Sequence, residues 1–167
     1  MSGAWNDVLF SAVVIGAGAT ATTDAWTIAR KHLFGSALPD YGLVGRWFAH
    51  MAQGRFRHAS ISAAPCVRGE VVIGWIAHYL IGIAFASLLL AIWGIDWVRH
   101  PTPLPALIVG LGSVAAPFLL MQPGMGAGIA GSRTPNPRAT RLRSLVTHGV
   151  FALGLYLAGW ATSWLKM

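Results

Sequence analysis

The sequence predicts an all-α fold, a four-transmembrane-helix bundle, on three observations: its composition, the length of its apolar runs, and the placement of basic residues between them. Of 167 residues, 55% are hydrophobic and only 10% charged, whereas soluble domains carry about 25% charge. A chain of this kind is solvated by lipid. No composition shift separates two globular bodies, so residues 1–167 read as a single integral membrane domain.

The first span is expected over 7–29, opening with Val8-Leu9-Phe10. Its small-residue stretch imitates a signal-peptide cleavage region, but no basic segment precedes it and Arg30-Lys31 follows it, so it reads as a retained helix. The second span, 71–95, carries the strongest signal, running through Leu80-Ile81-Gly82-Ile83 to Leu88-Leu89-Leu90. The third, 104–122, contains Pro117, which neighbouring helices can accommodate in a membrane. The fourth covers 145–164. Each has the roughly 20 residues that a helix needs to cross about 30 Å of hydrocarbon, and continuous apolar length excludes the alternating strands of a barrel.

Six basic residues lie between the first two spans and four between the last two, which is ten of the twelve in the chain; Arg99 and Lys166 fall opposite. The positive-inside rule makes the ten-residue side cytoplasmic and both termini external, in a bacterial inner membrane. Arg46, Arg55, Arg57, Arg68, Arg133 and Arg138 then become candidates for meeting anionic headgroups. The net charge of +7 therefore points to the lipid bilayer, not to nucleic acid. Trp5, Trp93, Trp97, Trp160 and Trp164 near outer ends, with Trp26 and Trp75 near inner ones, read as interfacial anchors.

Tyr41–Met51 carries Leu43, Val44, Trp47, Phe48 and Met51 on one helical face, with Arg46 and His50 toward the polar side. This predicts a short amphipathic helix in the interface plane, its apolar groups entering lipid and Arg46 meeting headgroups. His50 and His58 read as solvated loop histidines, and Cys66 as an incidental thiol.

Gly16-Ala17-Gly18 superficially resembles a nucleotide fingerprint but lies inside an apolar helix, not in a strand-to-helix turn. Small residues there suit close backbone approach between membrane helices. Gly110 and Gly112 repeat the Gly16 and Gly18 spacing, while Gly74-His78-Gly82 and Ser144-His148-Ala152 each recur at four-residue intervals, a faint two-plus-two repeat. The same glycine faces suit a homodimer or another membrane-protein partner. After the third span, Pro123 is expected to end the helix, and the glycines that follow to form a turn. With Arg133 and Arg138 downstream, that turn suits a phosphate nest.

Asp24 is the most informative residue. It sits about six residues, or roughly 9 Å, inside the basic end of the first span, where a carboxylate needs a partner or water. His78, His148, Gln122 and Glu70 can reach similar depth from other spans. These five are candidates for ligand binding or a proton relay, and Asp24, His78 and His148 for a transition metal. A structural or accessory role for the cluster leads; small-solute or ion transport through Asp24 and the histidines, and metal-binding or lipid-modifying enzymology, are the alternatives. No activated nucleophile accompanies them.

Asp40-Tyr41, Leu43-Val44-Gly45-Arg46-Trp47, His50-Met51 and Gly54-Arg55-Phe56-Arg57-His58 together resemble the family called domain of unknown function 2938. The resemblance continues through Gly69-Glu70, Gly74-Trp75, His78-Tyr79, Gln122-Pro123-Gly124-Met125-Gly126 and Ser132-Arg133-Thr134-Pro135, then Arg141-Leu142, Ser144-Leu145 and His148. It covers about Val8 to Leu157 and implies a polytopic bacterial membrane protein, with no activity or ligand attached.

Overall fold

The computed structural model describes the backbone of residues 2–165 and the side chains of residues 5–165; Lys166 lies outside them. The helices are α1 Ser2–Phe34, α2 Tyr41–Met51, α3 Glu70–Trp93, α4 Asp96–Arg99, α5 Pro103–Gly112, α6 Gln122–Met125 and α7 Pro137–Leu165. No strand occurs among the described residues. Four helical segments, Trp5–Phe34, Glu70–Trp93, Pro103–Met125 and Pro137–Leu165, are long and apolar enough to cross a membrane. The chain is a multi-pass membrane protein.

Two boundaries differ from expectation because helix formation does not stop where charge begins. α1 continues past residue 29 to Phe34, and α7 starts at Pro137 instead of 145. At the start of α7 the Asn136 side chain accepts from the Ala139 N–H, and Pro137 occupies a first-turn position where its missing N–H is harmless. The third span is helical throughout Pro103–Met125 but not uniformly α: α5 covers Pro103–Gly112, and a π-helical stretch, Pro117–Met121, precedes α6. Pro123 lies in the first turn of α6 and does not end it. Gly126, at φ +96, does: its N–H reaches Pro123 O while the Ala127 N–H reaches Gln122 O.

The described residues form two compact units. Unit 1 comprises 2–38, 79–113 and 147–165. Its core is built from Ile15, Ala19, Leu89, Val109 and Leu155, with Phe151 and Trp97. Trp97, expected as an anchor, is buried against Gly159 and donates its indole N–H to Thr102 O. Trp5, Trp160 and Trp164 are exposed, as expected of anchors. Close approach comes from small residues. A Cβ on Gly16 would strike the Ile83 backbone, and one on Gly110 would strike Ala152. Gly82 and Ala152 each follow a histidine, His78 and His148, by four residues, so the same contact recurs in both halves.

The buried hydroxyls of α1 need no outside partner. Thr20, Thr23 and Thr27 donate to the carbonyls of Gly16, Ala19 and Thr23, one turn earlier.

Unit 2 comprises 39–78 and 114–146. α2 has the predicted bounds, and Asp40 caps it by accepting from Gly42 N at 2.9 Å and Leu43 N at 3.4 Å. Arg46 and His50, expected on the polar side, and Trp47 are buried inside the protein with Gly42 and Gly45, whereas Leu43, Val44, Phe48 and Met51 stay partly exposed. A Cβ on Gly45 would strike the Glu70 backbone and one on Gly74 the Tyr41 backbone. These glycines bring α2 close enough to the first turns of α3 for Arg46 to be enclosed.

Candidate functional site

Arg46 is only 7% exposed, so its guanidinium needs a full set of acceptors. Nε and Nη2 form a two-pronged bond to the Glu70 carboxylate at 2.8 and 2.7 Å. Nη1 donates to the carbonyls of Ile61, Ser62 and Ala64 at 3.1–3.4 Å, and Nη2 also approaches Cys66 Sγ at 3.1 Å. The hydrogen bonds it donates to Glu70 push the Arg46 pKa above its already high value. Arg46 therefore does not meet headgroups; it clamps the 61–67 loop to the start of α3. Glu70, a candidate relay group, is half of this clamp and also accepts from Val67 N.

His50, only 3% exposed, is likewise not a solvated loop residue. Its ring stacks on His58 with centroids 5.0 Å apart, and His50 Nδ1 lies 2.9 Å from His58 Nε2. His58 Nδ1 lies 3.3 Å from Gly124 O, which can only accept. The His58 proton thus belongs on Nδ1, making Nε2 the acceptor for the His50 N–H. Burial first, then His58, lowers the His50 pKa. Beside this chain, Trp47 packs on Gly124 and donates to Phe56 O at 3.1 Å.

The other membrane candidates are engaged within their own units. In unit 1, the Tyr79 hydroxyl donates to Asp24 Oδ2 at 3.0 Å. Ser113 donates its one proton to Gly110 O at 2.6 Å, so the 2.7 Å bond between Ser113 Oγ and His148 Nδ1 is donated by the imidazole. In unit 2, His78 Nε2 and Tyr41 OH share a 3.0 Å bond, and the Tyr41 ring packs against both Trp75 and His78 with centroid distances of 4.4 Å, the latter two lying 5.9 Å apart. Gln122 Oε1 is buried with no hydrogen-bond partner among the described residues. Tyr41 and Tyr79, the partners of His78 and Asp24, were missed from sequence because neither lies one helical turn from the group it holds. Among the described residues, no set of three or more His, Cys, Asp or Glu side chains is placed to hold a metal ion.

Of the arginines expected at the surface, Arg57 and Arg133 converge. With His58, Pro123, Gly128 and Ser132 they line a groove of about 560 Å³ in unit 2. Arg55, Arg68 and Arg138 are exposed outside its lining.

The family model described as a protein of unknown function, DUF2938, matches residues 13–162, and the chain belongs to that family. No curated protein and no solved structure matches it.

Proposed function

We propose that this protein has a structural or accessory role in a bacterial inner membrane, with its arginine-rich connections in the cytoplasm and both termini outside. The observation that carries this reading is the Tyr79 hydroxyl on Asp24: the one carboxylate deep in a span is held by a neighbouring helix of its own unit. The bonds of His78 to Tyr41 and His148 to Ser113 support it in the same way. Polar groups satisfied like this fix helix register and require no substrate.

Transport of a small solute or ion is the second reading, favoured by the π-helical stretch Pro117–Met121 in the third span. π-helical turns inside helices frequently mark functional sites. Purified protein in vesicles carrying a pH gradient separates the two. The accessory role predicts that the gradient decays as it does in protein-free vesicles, whether or not Asp24→Asn is present. A leak carried by the parent and abolished by Asp24→Asn would establish transport and overturn the accessory role.

A further inference from the structure

We propose that the unit 2 groove is a binding site for a phosphate group, held by the guanidinium groups of Arg57 and Arg133, the hydroxyl of Ser132 and the backbone N–H groups of Gly128 and Ile129. This goes beyond the accessory reading and does not depend on it.

The charge balance selects an anion. Unit 2 contains eight arginines, Arg46, Arg55, Arg57, Arg68, Arg133, Arg138, Arg141 and Arg143, against two carboxylates, Asp40 and Glu70. Both carboxylates are used elsewhere, Asp40 as the cap of α2 and Glu70 in the Arg46 clamp. No acidic side chain lines the groove, and among the described residues neither Arg57 nor Arg133 has an ion-pair partner.

Backbone shape adds donors to that charge. Gly128, Ala130 and Gly131 have φ of +74, +47 and +66, so the loop departs from both helix and strand here and can leave backbone N–H groups outside its own hydrogen bonding. Ala130 is the one non-glycine with positive φ among the described residues, a strained conformation, and Arg141 Nε donates to its carbonyl at 3.0 Å. The loop closes on itself through Gly131 N to Gly128 O, Ser132 N to Ile129 O and Arg133 N to Ala127 O. The N–H groups of Gly128 and Ile129 take no part in those bonds. A Cβ at Gly128 would collide with Ser132 Oγ and crowd Arg133 Cγ at 2.9 Å, so glycine lets these donors share one concavity.

The opposite wall is fixed in advance. Both ring nitrogens of His58 are turned to His50 and Gly124 O, which positions the 57–59 segment without a proton directed into the groove. His58 is thus a positioning residue. The groove adjoins the end of the third span, at Pro123, and the ends of membrane-spanning helices meet the polar headgroup region. The phosphodiester of an anionic phospholipid and a free phosphate compound present the same oxygens.

The full-length protein in neutral detergent is titrated with phosphatidylglycerol against phosphatidylcholine by native mass spectrometry, and with inorganic phosphate by calorimetry. At least one phosphate-bearing probe should bind. The Arg57→Gln/Arg133→Gln protein should weaken that binding about tenfold. Arg55→Gln/Arg138→Gln removes equal charge and should leave it within about twofold, a change too small to register as a lost charged contact. Preference for phosphatidylglycerol with no response to inorganic phosphate identifies a lipid source; the reverse identifies a soluble one. Should the glutamine pair fail to fold, Arg57→Lys/Arg133→Lys keeps the charge but loses two-pronged geometry, and about threefold weakening is expected. Equal losses in the two glutamine pairs, no loss in the lysine pair, or no binding of either probe by the parent would overturn the site.

Discussion

In unit 1 the closest contacts are made where side chains are smallest: Gly16 on Ile83, Gly82 on Thr20, Gly110 on Ala152 and Gly154 on Ala19. Hydroxyls there fold back onto their own helix, and the core is aliphatic. In unit 2 glycines again allow close approach, but what they enclose is a guanidinium, an imidazole and an indole. The first region is held by dispersion between closely packed backbones. The second is held by a few buried polar groups whose every donor must be matched. Loss of one partner should therefore be abrupt in unit 2 and proportional to volume in unit 1.

The largest effect is expected from breaking the Arg46 clamp. Glu70→Leu leaves a buried cation without its carboxylate, and purified protein should no longer run as a monodisperse peak. Arg46→Lys should fail alike, because an ammonium with three donors cannot replace a guanidinium that makes six contacts. The double substitution Arg46→Met/Glu70→Leu should recover part of the loss but not all, since the carbonyls of Ile61, Ser62 and Ala64 lose their donor. Full behaviour of either single variant would show that unit 2 does not depend on the clamp.

Overpacking unit 1 comes next. Gly110→Leu must push Ala152 away and should cost about 1–3 kcal/mol or more in thermal unfolding. Gly112→Ala, two residues on, meets nothing within 4 Å and should cost nothing measurable. Equal losses at the two positions would remove the packing explanation.

A smaller effect should follow pH. The His50 pKa lies below its ordinary value of 6.5 in the fold, so the unfolded chain takes up the proton first. Stability is then fully present above about pH 6.5 and falls as pH drops through that value toward the folded pKa. Thermal unfolding between pH 8 and pH 5 should show this decline, and His50→Gln should reduce its slope. An unchanged slope would assign the decline to another group. The smallest effect is the coupling of Asp24 to Tyr79. A double-mutant cycle of Asp24→Asn and Tyr79→Phe should give about 0.6 kcal/mol, the size usual for a membrane hydrogen bond.

The contrast also explains what was legible in the sequence. Spans announce themselves through local composition, and α2 through its period, so the elements were readable almost to their ends. Which face of α2 turns inward was not. Its period marks Leu43, Val44 and Phe48 as apolar, but only the fold brings Glu70, 24 positions from Arg46, into contact. Gly45 and Gly74, poor helix formers by themselves, are the residues that permit that contact. Asp24 was identifiable because a carboxylate in an apolar run is costly wherever it points. Its partner Tyr79, 55 positions away, was not. The groove depends on four positive-φ positions between Gly126 and Gly131 that no periodicity encodes.

The most direct test of the accessory reading is the water accessibility of position 24. In a Cys66→Ala background, Asp24→Cys and the loop control Gln53→Cys are exposed to a water-soluble maleimide in inside-out membrane vesicles, whose outer surface is the cytoplasmic one. The account predicts rapid labelling at position 53 and none at position 24, as for a group held against Tyr79 within the span. Labelling of position 24 at the rate of the loop control would place it on an aqueous path and contradict the accessory role.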